Sequence, residues 1–159
     1  MSHVLDNYVS IHAKQSLRLW IRILITTTLI EKRIRLYLKE NCSTTLPRFD
    51  AMAALERAGE KITMSQLSDR LLVSNGNVTV LINRLVEDGL VDRQTDENDR
   101  RIQYVTLTKA GRQAFSKAAE MHEALVDFIF SDIGDPEINK LLQMISEMSI
   151  SVHKKLTTK

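Results

Sequence analysis

Apolar residues recur at helical spacing along most of the chain. From residue 5 to about 41, Leu17, Ile21 and Leu24, and later Ile30, Ile34 and Leu38, recur at helical spacing, which predicts a long first helix. The run Asn41-Cys42-Ser43-Thr44-Thr45 is a polar break. Pro47 suits the start of a second helix, where its missing N–H costs nothing. That helix reaches about Ala58 with Phe49, Met52 and Leu55 inward, and Gly59 sits where a helix commonly stops. Thr63 and Gln66 form a capping-box pattern, and Met64, Leu67 and Leu71 follow at i, i+3 and i+7. Ser74 is placed to cap the next helix, whose inward face is Val78, Leu81, Ile82 and Leu85, and Gly89 ends it.

The period then changes. Leu90–Gln94 and Ile102–Thr108 alternate as strands do, and the residues between them are polar or charged, so a β-hairpin with a projecting loop is expected. Thr108 caps a helix to about Ser131 carrying Phe115, Ala118, Leu125 and Ile129. Asp135-Pro136 opens the last helix, with Ile138, Leu141, Leu142, Ile145, Met148, Val152 and Leu156. The expected fold is mainly α with a small β-hairpin: a winged helix-turn-helix between long terminal helices. We read residues 1–159 as a single domain, with a lobe over about 45–108 and dimerisation helices over about 5–41 and 109–157. The first helix and the last two are too apolar for one small domain to cover. The last one keeps a seam of three- and four-residue spacings able to pack on a partner.

Composition narrows the classes. At 159 residues, 43% hydrophobic and 26% charged, the chain has the balance of a globular domain. No apolar run is long enough for a membrane span and the start lacks a signal-peptide pattern, so no membrane association and a cytoplasmic location are expected. Cys42 is the lone cysteine, which suits a reducing compartment and leaves no thiolate pair for zinc. The histidines are scattered, so no metal and no cofactor are expected. No phosphate-cradling glycine loop, nucleophile elbow or metal-binding histidine pair is present, which argues against an enzyme. The formal charge of +2 does not itself announce a nucleic-acid partner; placement must.

Placement is suggestive. With the apolar face of the Ser74–Glu87 helix set aside, Ser74, Asn75, Gly76, Asn77, Thr79, Val80, Asn83 and Arg84 remain. Asparagine can pair with the N6/N7 edge of adenine, threonine with a base edge or phosphate, and valine with a thymine methyl. Gly76 lets backbone approach, and an open helix N-terminus can meet phosphate. The competing reading is an ordinary helix start, since Ser and Asn favour caps anyway. At the hairpin tip Arg100 and Arg101 follow Asp96, Glu97 and Asp99. An arginine there can enter the minor groove, and Asp99 can hold one in place. A solvated charge run is the plainer alternative.

The stretch LVDRQTDENDRRIQYVTLTKAG resembles the wing signature of the MarR (multiple antibiotic resistance regulator) family, with Asp99, Arg101, Leu107 and Thr108 at its marked positions. MSQLSDRLLVSNGNVTVLINRLVEDGLV resembles that family's helix-turn-helix. The resemblance implies a homodimer that represses genes by blocking a palindromic operator in double-stranded DNA. It gives Arg101 the minor-groove role and leaves Arg100 a phosphate contact. LPRFDAMAAL with VSNGNVT is similar to a branch governing breakdown of aromatic compounds, whose effectors are small aromatic acids or their hydroxycinnamoyl-CoA thioesters.

For such an effector the candidate residues are Lys14, Arg18 and Arg22, an i, i+4 ladder on the first helix, with Trp20 and Phe49. A solvated helix face explains the same ladder. Two further functions stay open: a winged-helix protein–protein adaptor, and a redox-sensing repressor using Cys42, although that thiol lies in a loop after the first helix.

Overall fold

The computed structural model describes residues 2–157, and side chains from residue 11 onward other than that of Asn75. The described residues form six helices: α1 (Ser2–Cys42), α2 (Leu46–Ala58), α3 (Met64–Leu71), α4 (Asn75–Glu87), α5 (Lys109–Phe130) and α6 (Asp135–Thr157). Three short strands join them: β1 (Ile62–Thr63), β2 (Val91–Thr95) and β3 (Gln103–Leu107). The backbone divides into two compact units, residues 1–122 and 123–159.

In the first unit the punctuation residues act as their chemistry requires. Pro47 lies in the first turn of α2, and Gly59 ends that helix at φ 69°, its N–H donating to the Glu56 carbonyl. Thr63 and Gln66 complete a reciprocal cap: the Gln66 N–H donates to Thr63 Oγ1 at 3.2 Å and the Thr63 N–H to Gln66 Oε1 at 2.8 Å. The turn between α3 and α4 passes through Leu72 in the left-handed region at φ 54°. It is pinned by Ser68 Oγ, which donates to the Val73 carbonyl at 2.6 Å. Ser74 holds the expected N-cap position of α4, but its side chain makes no capping hydrogen bond, so that expectation fails in chemistry though not in place.

The sheet is antiparallel in the order β1-β3-β2. The hairpin pairs Val91 with Leu107 and Thr95 with Gln103, while Ile62 pairs with Val105. The third strand was not foreseen: two residues carry no alternation to read. Met52, Leu55, Ile62, Leu67, Val78, Ile82, Leu85, Val91, Val105 and Leu107 form one core beneath these elements. Val78, Ile82 and Leu85 are wholly buried, while Leu81 is only partly covered.

The return from the wing into α5 is tightly specified. Thr108 donates its N–H to the Leu90 carbonyl and its hydroxyl to the Gly89 carbonyl, and the hydroxyl accepts from the Gly111 N–H at 2.9 Å. A Cβ on Gly111 would stand 1.9 Å from the Leu90 carbonyl oxygen.

The long helices are different. Of the described α1 side chains only Ile34 and Leu38 are among the buried hydrophobics, whereas Leu17, Trp20, Ile21, Leu24, Ile25 and Leu29 are exposed. In the second unit, α6 buries none of its residues and exposes Leu141, Leu142, Ile145 and Val152. Among the described residues no helix is long and apolar enough to cross a membrane.

Gly111→Ala should therefore destabilise the lobe by about 2 kcal/mol or more, because the obstruction is backbone and cannot swing away. An unchanged urea unfolding midpoint would contradict the close approach.

Candidate nucleic-acid interface

Burial of three residues on one side of α4 decides what its other side presents. Gly76, Asn77, Thr79, Val80 and Arg84 are exposed, as is Ser74 before them; the Asn75 side chain lies outside the described residues. Asn83 departs from expectation. It is half-buried, and its Oδ1 accepts from Arg93 Nη1 on β2 at 2.8 Å. It does not stand free in solvent: a guanidinium N–H of the wing strand donates to its amide oxygen.

The wing tip is an organised turn rather than a loose charge run. Asp96 Oδ1 accepts from the backbone N–H groups of Asn98 and Asp99, both at 2.9 Å. Those bonds, Asp99's first, hold its carboxyl below the ordinary carboxylate range. The Ile102 N–H donates to the Asp99 carbonyl, and the Asp96 N–H to the Ile102 carbonyl. Asp99 then grips Arg101. Its Oδ1 accepts from Arg101 Nε at 3.0 Å and from the Arg101 backbone N–H, and its Oδ2 from Nη2 at 2.9 Å. This fork lowers the Asp99 pKa and raises that of Arg101. A guanidinium has five N–H donors. Two engage Asp99, so three remain on a side chain that is 91% exposed. Arg100 is exposed beside it, with no ion pair among the described residues.

Two further ion pairs tie the lobe together: Arg48 on α2 with Asp88 at the end of α4, and Arg112 on α5 with Glu56 on α2 at 2.9 Å.

The residues proposed for an effector are not gathered within the chain. Lys14, Arg18, Trp20 and Arg22 lie exposed on α1. Phe49 is buried at 7% exposure, its ring 5.5 Å from Phe115 and 4.8 Å from His122. It belongs to the packing of α2 on α5, so the aromatic slot expected between Trp20 and Phe49 is not formed within this chain. A cleft of about 420 Å³ is found elsewhere, lined by Asp50, Ala53, Ala54, Arg57, Arg70 and Leu71. Partial burial pushes the Asp50 carboxyl above its ordinary pKa, with Glu31 adding to the effect and His122, Arg35 and Arg57 opposing it. Its two arginines and its alanine and leucine side chains suit a small anion with an apolar body, with the Asp50 carboxyl on the same lining acting against it when ionised. Sequence reasoning missed this cleft and Arg93, because both depend on contacts between elements; the i, i+3, i+7 spacing of Asp50, Ala53 and Arg57 was the only trace. Cys42 is half-buried with its sulfur 3.5 Å from that of Met121. Among the described residues no cluster of His, Cys, Asp or Glu could hold a metal ion.

Two packed helices with a tight turn, the second offering a polar strip, and a following hairpin define a winged helix-turn-helix protein. Residues 43–102 match the model of the MarR family. The transcriptional activatory protein BadR of Rhodopseudomonas palustris is 32% identical over 112 residues, 65% of this chain and 63% of that protein. The structure of a MarR family transcriptional regulator from Silicibacter pomeroyi superposes with a TM-score of 0.76 at 29% identity, covering 89% of this chain and 97% of that one. A mutant MarR from E. coli complexed with operator DNA shares the fold at a TM-score of 0.74 and 22% identity, over 84% and 95% of the two chains. Over these residues the chain is similar to members of the MarR family of transcriptional regulators. Three of the curated relatives are matched over 56–63% of their own length.

Because the ionised Asp50 is disfavoured by burial in the folded chain, its charge lowers stability above its raised pKa and has no such cost at lower pH. Asp50→Asn should raise the melting temperature near neutral pH, and the gain should shrink as pH falls through the carboxylate range. A gain that is independent of pH would assign it to packing instead.

Proposed function

We propose that this chain is a DNA-binding transcriptional regulator that works as a homodimer and responds to a small-molecule effector. The observation that carries the reading is the joint exposure, on one lobe, of the α4 polar strip and the Arg101 guanidinium. Asp99 orients the guanidinium, and the Asn83–Arg93 bond ties α4 to the wing. In that reading Ser74, Asn75, Gly76, Asn77, Thr79, Val80 and Arg84 face the major groove and nearby phosphates. Arg101 enters the minor groove, and Arg100 meets phosphate. The E. coli protein solved with operator DNA has the same fold, which supports this assignment.

The homodimer rests on the exposed apolar faces of α1 and α6, which a second copy would cover. Two-fold symmetry would then set two α4 helices about one DNA turn apart on a palindromic operator. Repression follows if the operator overlaps a promoter. BadR, by its name an activator, shows that a relative can act in the opposite sense.

For the effector we propose a small aromatic acid or its CoA thioester. The basic ladder of α1 with Trp20 and the arginines of the α2–α3 cleft are the two places whose chemistry fits. Calorimetry with a hydroxycinnamic acid and its CoA thioester tests this; heat from neither would remove the effector class. Redox control through Cys42 is less well supported, because its sulfur neighbour is a thioether rather than the cation or helix N-terminus that activates thiols.

Fluorescence anisotropy with promoter DNA tests the main reading. Binding should weaken steeply with salt, with a logarithmic slope of about −0.9 per phosphate contact. A flat response would favour a protein–protein adaptor. Arg101→Ala should weaken operator binding roughly tenfold or more while the dimer persists, and Asp99→Ala should reproduce part of that loss by freeing the guanidinium. Equal affinity for the Arg101→Ala variant and wild type would remove the wing assignment. Asn77→Ala should reduce operator binding more than random-DNA binding; equal losses would leave Asn77 a positioning role only.

A further inference from the structure

The cleft between α2 and α3 brings charges of both signs to one cavity. Asp50, Ala53, Ala54 and Arg57 line it from α2, and Arg70 and Leu71 from α3. Its volume of about 420 Å³ lies in the range of small-molecule sites. Arg57 and Arg70 are exposed and take no part in the ion pairs found among the described residues. Each stands in the last turn of its helix, where the partial negative charge of the C-terminus favours a cation. That accounts for the residue type at either place, but not for two guanidinium groups lining one cavity.

The lining has a polarity. Burial raises the Asp50 pKa, and the charges that act on it, in order, are His122 on α5, Arg35 and Glu31 on α1, and last Arg57. Asp50 therefore lies toward α1 and α5, while Arg57 is seven residues further along α2, about 10 Å by helical rise. Arg57 and Arg70 offer planar donor forks from two helices, which suits a carboxylate. An ionised Asp50 can only accept, so it repels a second anionic group and receives a hydroxyl. Ala53, Ala54 and Leu71 have no side-chain polar atoms, so the body of a ligand between these ends is apolar and slender.

We propose that this cleft is the effector site and that it selects a monoanionic hydroxy acid: the carboxylate is held by Arg57 and Arg70, the apolar body lies against Ala53, Ala54 and Leu71, and a hydroxyl at the far end donates to Asp50. The inference rests on the proposed effector-responsive reading and narrows it. The ligand sits here instead of on the α1 ladder, and the free acid is preferred to its CoA thioester, whose phosphates bring negative charge that two arginines and an opposing carboxylate do not match. Arg70 stands two residues before Leu72, the left-handed residue of the turn into α4, so the occupant grips the first helix of the helix-turn-helix pair at its junction with the second.

Calorimetry on the full chain tests this at about pH 8, well above the ordinary carboxylate range. The probes are 4-hydroxycinnamate, cinnamate and 4-hydroxycinnamoyl-CoA, and thermal melts confirm that each variant is folded. Wild type should bind 4-hydroxycinnamate about tenfold more tightly than cinnamate, and more tightly than the thioester. Arg57→Gln and Arg70→Gln should each weaken that binding about tenfold, and Arg18→Gln on the α1 ladder should leave it unchanged. Ala53→Leu keeps every charge but fills the cleft, and should abolish binding. Asp50→Ala should remove the advantage of the hydroxylated acid while raising the affinity for cinnamate; a merely structural Asp50 would move both acids alike. Equal affinity of wild type for the two acids, binding of the thioester alone, or loss with Arg18→Gln but not with the cleft variants would overturn this inference and leave the effector class standing. Heat from none of the three probes would overturn both.

Discussion

Everything the lobe offers to a partner depends on the burial of one face of one helix. Val78, Ile82 and Leu85 have no solvent contact, and they share their core with residues of α2, α3 and all three strands. A thirteen-residue helix has little stability alone in water, so its order comes from that packing. The same burial fixes its rotation about its own axis. Asn77, Val80 and Arg84 face outward because the apolar positions between them cannot.

The second constraint is the way acidic residues are used in the wing. The tip carries Asp96, Glu97 and Asp99 next to Arg100 and Arg101, which looks self-defeating for a surface meant to meet phosphate. The geometry resolves the conflict. Asp96 accepts two backbone N–H groups and so shapes the turn, while Asp99 pairs with Arg101 and lies on one side of it. An exposed pair of this kind adds little to stability. Its effect is on direction: a long side chain that would otherwise sample many rotamers is confined near one, and part of the ordering entropy is removed before any encounter.

Much of this architecture is legible in local sequence, and the reasons are specific. Pro47, Gly59, the Thr63–Gln66 pair and Thr108 each act within four residues of themselves or at a change of period, so their roles can be read directly. The inward positions of α4 follow from helical spacing. Features that arise between distant segments are not legible in this way. Strand β1 is two residues long and exists only because Val105 and Tyr104 pair with it. The engagement of Asn83 by Arg93 spans two elements, and so does the placing of Phe49 against Phe115 and His122 on α5. The α2–α3 cleft is a product of the same kind of meeting.

The junction after the wing has a mechanical corollary. Leu90 precedes the outgoing strand, and its carbonyl oxygen receives the Thr108 N–H and lies against the bare Cα of Gly111 in the first turn of α5. The base of the hairpin and the head of that helix therefore abut at a single peptide with no slack between them. With the bare Cα of Gly111 against it, that carbonyl leaves no room between strand and helix, so the first turn of α5 cannot approach the strand further without displacing Leu90.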